Sequence, residues 1–139
     1  MGRTTFAIIA SLVLGAACLP RDAAAEVRLV MVEEEGCVWC ARWEAEVGDA
    51  YPKTDAGRAA PIRRVDITRP IPDDLDLVSP PRLTPTFILV EDGTEHARIE
   101  GYPGEDFFWP MVERMLTEAD LWGPDQQDAG RPATVDADP

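Results

Sequence analysis

Residues 33–40 read EEEGCVWC, from Glu33 to Cys40: three carboxylates, a glycine and two cysteines three positions apart. Such a pair can be half of a metal site, a structural disulfide, or a redox couple that exchanges electrons with other proteins. The flanking sequence helps to decide. Upstream, VRLVMV (27–32) is apolar on both parities, as in a strand buried on both faces. Downstream, CVWCARWEAEVGDAY (37–51) is made of acceptable helix formers, with Cys37, Cys40, Ala41, Glu44 and Val47 recurring at three and four. The cysteines therefore sit where a strand turns through Gly36 into a helix.

Pro52 should stop or kink that helix. PIRRVDI (61–67) then supplies a second strand over 62–67, reached through a loop around Gly57. Strand, helix, strand implies a right-handed parallel crossover. Residues 68–82 carry Pro70, Pro72, Pro80 and Pro81 and hold at most one helical turn, around 74–78. In LTPTFILVEDGTEHARIEG (83–101), Thr86 to Val90 is a buried β-rich run, and Asp92-Gly93 suits a tight hairpin. TEHARIE then alternates as an antiparallel edge strand does. The last element is a helix starting close to Phe107, because Pro110 belongs near a first turn. Phe107, Phe108, Met111, Val112, Met115, Leu116 and Ala119 form its apolar stripe. The order is β-α-β-β-β-α, an α/β domain with parallel and antiparallel strands in one central sheet.

The 139 residues allow one domain, and 45% hydrophobic content is ordinary for a globular chain. Net charge is −13 with no Lys/Arg cluster, which argues against nucleic acid and anionic membrane surfaces as partners. The single histidine, His96, falls on the expected edge strand facing solvent; it excludes a multi-histidine metal site and leaves a hydrolytic triad one possible base. Residues 1–25 read as a secretory signal: Arg3, an apolar run over 6–18, and Ala23-Ala24-Ala25 as an A-x-A cleavage site before Glu26. The run is too short to span a bilayer, and LGAAC is a poor acylation motif for Cys18. The domain is then 26–122, followed by an acidic tail over 123–139 expected to be disordered. Export, to the periplasm, leaves Cys37 and Cys40 as the only thiols in an oxidising compartment, where the pair closes unless electrons are supplied.

A cysteine at a helix start meets free N–H groups and the positive end of the helix dipole, both of which favour the thiolate. Cys37 has that position and reads as the nucleophile. Cys40, one turn inside, reads as the residue that resolves a mixed disulfide formed at Cys37. Zinc would need further ligands from distant carboxylates. Cu(I) needs only two thiolates, so a non-catalytic Cu(I) chaperone or redox-sensing module is the alternative function. A purely structural bridge across so small a loop restrains little chain entropy. The carboxylates are open to two readings. Near Cys37 they would raise its thiol pKa and make the couple more reducing; otherwise they are solvated charges on a loop. Trp39 is either a substrate-facing surface or a cap on the helix, Trp43 reads as core, and Tyr102-Pro103-Gly104 as groove or plain turn.

The chain resembles the thioredoxin superfamily in GCVWC at a strand-to-helix junction and in LTPTFILVEDG followed by an edge strand and a terminal helix. More narrowly, GCVWCARWEAEV, YPKTDAGRAAPIRRVDI and RIEGYPGEDFFW look like the exported SoxS-type thioredoxin-like proteins of bacterial sulfur-oxidation clusters. The resemblance covers about 27–121 and implies a minimal thioredoxin-like fold lacking the extra N-terminal strand and helix. It implies a thiol:disulfide oxidoreductase, acting as a reductase, with no cofactor or metal. Cys37 and Cys40 would be catalytic, with Trp39, Thr84 and Pro85 binding substrate and Thr84-Pro85 as a cis-proline turn. The implied partners of this monomer are client proteins with disulfides, a sulfur-oxidation carrier protein among them, and a membrane thiol-electron donor. Gly36 stands where thioredoxins commonly carry a Trp, which narrows the expected substrate breadth.

Overall fold

A computed structural model describes residues 25–122; the signal expected up to residue 25 and the tail over 123–139 therefore lie, Ala25 apart, outside the described residues. The apolar run becomes β1 (Val27–Glu33), an inner strand. It pairs in parallel with β2 (Ile62–Asp66) and antiparallel with β3 (Thr86–Glu91), and β3 pairs antiparallel with the edge strand β4 (Thr94–Glu100). The sheet order is β2-β1-β3-β4. Asp92 and Gly93 both take positive φ, 48° and 83°, as the two-residue hairpin between β3 and β4 requires. His96 is exposed on β4, with Nε2 3.3 Å from the Glu91 carboxylate.

The helix after the cysteines is shorter and less regular than its sequence suggests. An α-helix α1 (Val38–Trp43) widens into a π-helical stretch, Glu44–Gly48, and ends in a 3-10 turn, Tyr51–Lys53, whose first turn holds Pro52. Its buried side is Cys40, Trp43 and Val47, whereas Ala41 and Glu44 face outward. The segment around Gly57 is not a loop but helix α2 (Asp55–Ala59), capped by the Thr54 hydroxyl accepting from the Gly57 N–H at 3.0 Å. Glycine reads as a breaker there, yet its role is steric: a Cβ would stand 1.8 Å from the Tyr51 carbonyl oxygen.

The last helix, α3 (Glu105–Glu118), begins two residues before Phe107 and keeps Pro110 inside it. Its buried residues are Phe108, Val112, Met115 and Leu116, while Phe107 and Met111 are exposed. Each lies one position, about 100° round the helix, from the buried Phe108 and Val112, so the face that packs is narrower than the expected stripe. Among the proline-rich residues no helical turn forms around 74–78. Instead Asp76 bridges Thr94 in parallel beside the β4 edge, and Leu75 is buried.

The two sheet faces are covered differently. Leu29, Met31, Phe87 and Leu89 pack under the helices, where Phe108 lies 4.9 Å from Phe87 and 5.8 Å from Trp43, centroid to centroid. Val30, Val32, Ile88 and Val90 pack beneath Leu75, Ile71 and Leu77 of the proline-rich segment. That segment is fastened by Glu95, whose carboxylate accepts from Arg98 at 2.6 Å and from the Val78 N–H at 2.9 Å. Burial opposes the Glu95 charge, but the hydrogen bonds from Arg98 and the Val78 N–H outweigh it and hold its pKa below the usual carboxylate range.

Two outcomes follow. Gly57→Ala is expected to cost about 3 kcal/mol in urea unfolding, through overpacking against Tyr51. Glu95→Gln should lower stability near neutral pH by about 1–3 kcal/mol. Because the Glu95 pKa is depressed in the folded state, its contribution is present above the ordinary carboxylate pKa and fades as pH falls through the folded value. The gap between the variant and the unaltered chain should therefore narrow in acid, in melts run across the pH range.

Candidate functional site

The site is assembled at the end of β1. Glu33 closes the strand, Gly36 turns the chain at φ 80°, and the Cys37 N–H donates to the Glu34 carbonyl at 3.3 Å. Cys37 is thereby placed as the N-cap of α1, and its sulfur accepts the Cys40 N–H at 3.1 Å. A sulfur receiving a helix-start N–H is in the environment that stabilises a thiolate. In this structure Cys37 and Cys40 form a disulfide. Their surroundings are unequal: Cys37 is half-buried and Cys40 is 7% exposed.

The antiparallel pairing of β1 with β3 sets Val32 opposite Thr86, so the turn before β3 comes to the same end of the sheet as the cysteines. The Thr84–Pro85 peptide bond is cis, and the Pro85 carbonyl accepts the Gly101 N–H at 2.8 Å. The Thr84 hydroxyl donates to the Glu34 carboxylate at 2.9 Å, a direct tie between the proline turn and the loop that leads to Cys37. The cysteine loop and the Thr84–Pro85 turn thus lie at the same end of the sheet.

Trp39 is 52% exposed and stacked under Arg42, whose guanidinium carbon is 5.7 Å from the ring centroid. It is a surface residue, not a cap buried on the helix. Trp43 is core, as its position four residues on implies. Tyr102 is neither a plain turn residue nor an open groove wall: it is buried, and its hydroxyl donates to Glu46 at 2.7 Å. Burial first, and then the Glu46 carboxylate, push its phenol pKa up. The Arg42 hydrogen bond, followed by that of Tyr102, pulls the Glu46 pKa down.

An open cleft of about 650 Å³ runs beside the disulfide, lined by Cys37, Cys40, Glu33, Glu34, Glu44 and Arg64 among others. Two of the three carboxylates before Cys37 thus share its cleft, but neither stands unattended. Glu33 holds Arg64 at 2.7 Å, and Glu34 takes the Thr84 hydroxyl. Arg64 also pairs with Glu44 and lies over the Trp43 ring at 5.8 Å. Burial opposes the Arg64 charge, and the hydrogen bond Arg64 donates to Glu44, together with the charge of Glu33, more than offsets it, so its pKa rises. Arg64 and Glu44 do not emerge from sequence reading. Arg64 sits on a strand far from the motif, and a signal is visible only once β2 is paired with β1, which sets Arg64 opposite Met31.

Comparison with solved structures finds the crystal structure of the periplasmic thioredoxin SoxS from Paracoccus pantotrophus, in its reduced form. It is 52% identical to this chain, covering 68% of this chain and 99% of that one, with a TM-score of 0.66. No family model matches the chain, and no curated relative matches it.

The unequal burial of the sulfurs has a direct readout. After reduction, limiting iodoacetamide should modify Cys37 well before Cys40, as followed by mass spectrometry of the digested protein. Equal labelling of the two would contradict the difference in access.

Proposed function

The chain belongs to the thioredoxin family, in its SoxS type, and from that premise we propose that it is an exported reductase of protein disulfides in which Cys37 attacks and Cys40 resolves. It is a thiol:disulfide oxidoreductase. The direction of electron flow, the residue roles and the clients are our reading. The observation that supports it is the unequal exposure of two bonded sulfurs, one half-exposed at a helix start and one buried a turn deeper.

The exchange begins with the Cys37 thiolate. It attacks one sulfur of a client disulfide, that S–S bond breaks, and the departing client sulfur leaves as a thiolate that takes a proton from water. The Cys40 thiol then loses its proton, its sulfur attacks Cys37, and the mixed disulfide breaks to release the second client thiolate. The client gains two electrons and the Cys37–Cys40 pair loses two. A membrane thiol-electron donor restores the dithiol, since an oxidising compartment does not. Trp39 and the Thr84-Pro85 turn line the approach to Cys37 and contact the client there. The relative's periplasmic location supports the same compartment for this chain. Its SoxS name supports clients in sulfur oxidation, such as a carrier protein whose cysteine must be kept usable.

Cys40→Ser removes the resolving step, so clients should accumulate as adducts at Cys37 that dithiothreitol releases. Cys37→Ser should trap none. Purification of the Cys40→Ser protein from living cells without any reducible adduct would count against the reading.

A further inference from the structure

An exposed tryptophan beside a nucleophile raises the question of what fixes it. An indole on the outer face of a first helical turn is free to change rotamer unless something holds it. Trp39 is held by a chain of three side chains, Arg42, Glu46 and Tyr102. Arg42 stacks on its ring, and the Arg42 Nε donates to Glu46 Oε1 at 2.8 Å. The other Glu46 oxygen accepts from Tyr102 Oη at 2.7 Å. Tyr102 is packed against Phe108, 6.0 Å between centroids, in the core. The chain therefore runs from a buried ring to the surface, and each link limits the next.

The indole is also part of a larger apolar surface. Val38, next to it, is exposed, and so is Leu83 on the turn that Thr84 ties to Glu34. Val38 lines the cleft at Cys37, and Leu83 belongs to the turn tied to the loop that leads into it. Water leaves that surface when a polypeptide docks over the sulfur, and only a client with an apolar side chain to place there gains from it.

We infer that Arg42, Glu46 and Tyr102 hold Trp39 as a client-selecting shelf, which favours disulfides whose attacked cysteine has an apolar neighbour. Arg42, Glu46 and Tyr102 are positioning residues that act through Trp39. The inference rests on the reductase reading above and adds to it the chemistry of the preferred client. An aromatic contact of this kind raises kcat/KM by roughly three- to tenfold over a client without it.

Two synthetic peptides test it, each joined through its cysteine to 2-mercaptoethanol and differing only in Phe or Gly beside that cysteine. The full chain, first reduced with dithiothreitol and then freed of it so that each Cys37–Cys40 dithiol supplies the two electrons of one turnover, is expected to reduce the Phe peptide with a kcat/KM roughly three- to tenfold higher. Arg42→Gln and Tyr102→Phe should each bring the ratio toward one, and Arg42→Lys should restore part of it, because a lysine still offers a cation to the ring. A ratio near one in the unaltered chain, with both peptides reduced, overturns the shelf and leaves the reductase reading standing. A ratio that survives both Arg42→Gln and Tyr102→Phe overturns the positioning network. Failure to reduce either peptide overturns the reductase reading and the shelf with it.

Discussion

Strand β1 is hydrogen-bonded along both edges, to β2 in parallel and to β3 antiparallel, and it is buried on both faces. An inner strand so constrained cannot shift register without turning its side chains to the wrong face. Its last residue therefore delivers the chain to a fixed point, where Gly36 reverses it and Cys37 starts a helix. The same pairing fixes the other half of the site. Because β3 runs opposite to β1, its first residues arrive where β1 ends, and the Thr84–Pro85 turn stands beside the cysteines. β2, parallel to β1, adds Arg64 to the cleft.

The charges around the disulfide follow from this frame. The chain is strongly acidic, yet the carboxylates nearest the cysteines are engaged, Glu33 and Glu44 by Arg64 and Glu34 by Thr84. Glu35, the third carboxylate before Cys37, is exposed and does not line the cleft. The cleft is a paired arrangement in which Arg64 stands among the groups lining the cysteine pair. A second paired arrangement, Arg42–Glu46–Tyr102, joins α1 to the start of α3 on the far side of Trp39.

What was legible in the sequence is what local physics determines. The doubly apolar run at 27–32, the alternating residues of β4 and the Asp92-Gly93 turn each carry their meaning within a few positions. The cysteine spacing at a strand-to-helix junction located the redox pair for the same reason. Local reading failed where distant groups decide. Gly57 looks like a helix breaker until the Tyr51 carbonyl is found against it, leaving no room for a side chain. Phe107 and Met111 look like core until α3 is packed on the sheet through Phe108, Val112, Met115 and Leu116, which leaves those two on its exposed side. Glu46 and Tyr102 are 56 positions apart, and no local pattern connects them.

Under the proposed function the Cys37–Cys40 disulfide is a redox couple that, once reduced, gives electrons to clients. The most direct test is its reduction potential, measured by equilibration with a glutathione or thiol redox buffer and quantified from the alkylated fraction. The account predicts a value near that of thioredoxin, about −270 mV. A value near that of DsbA, about −120 mV, would reverse the direction of electron flow and contradict it.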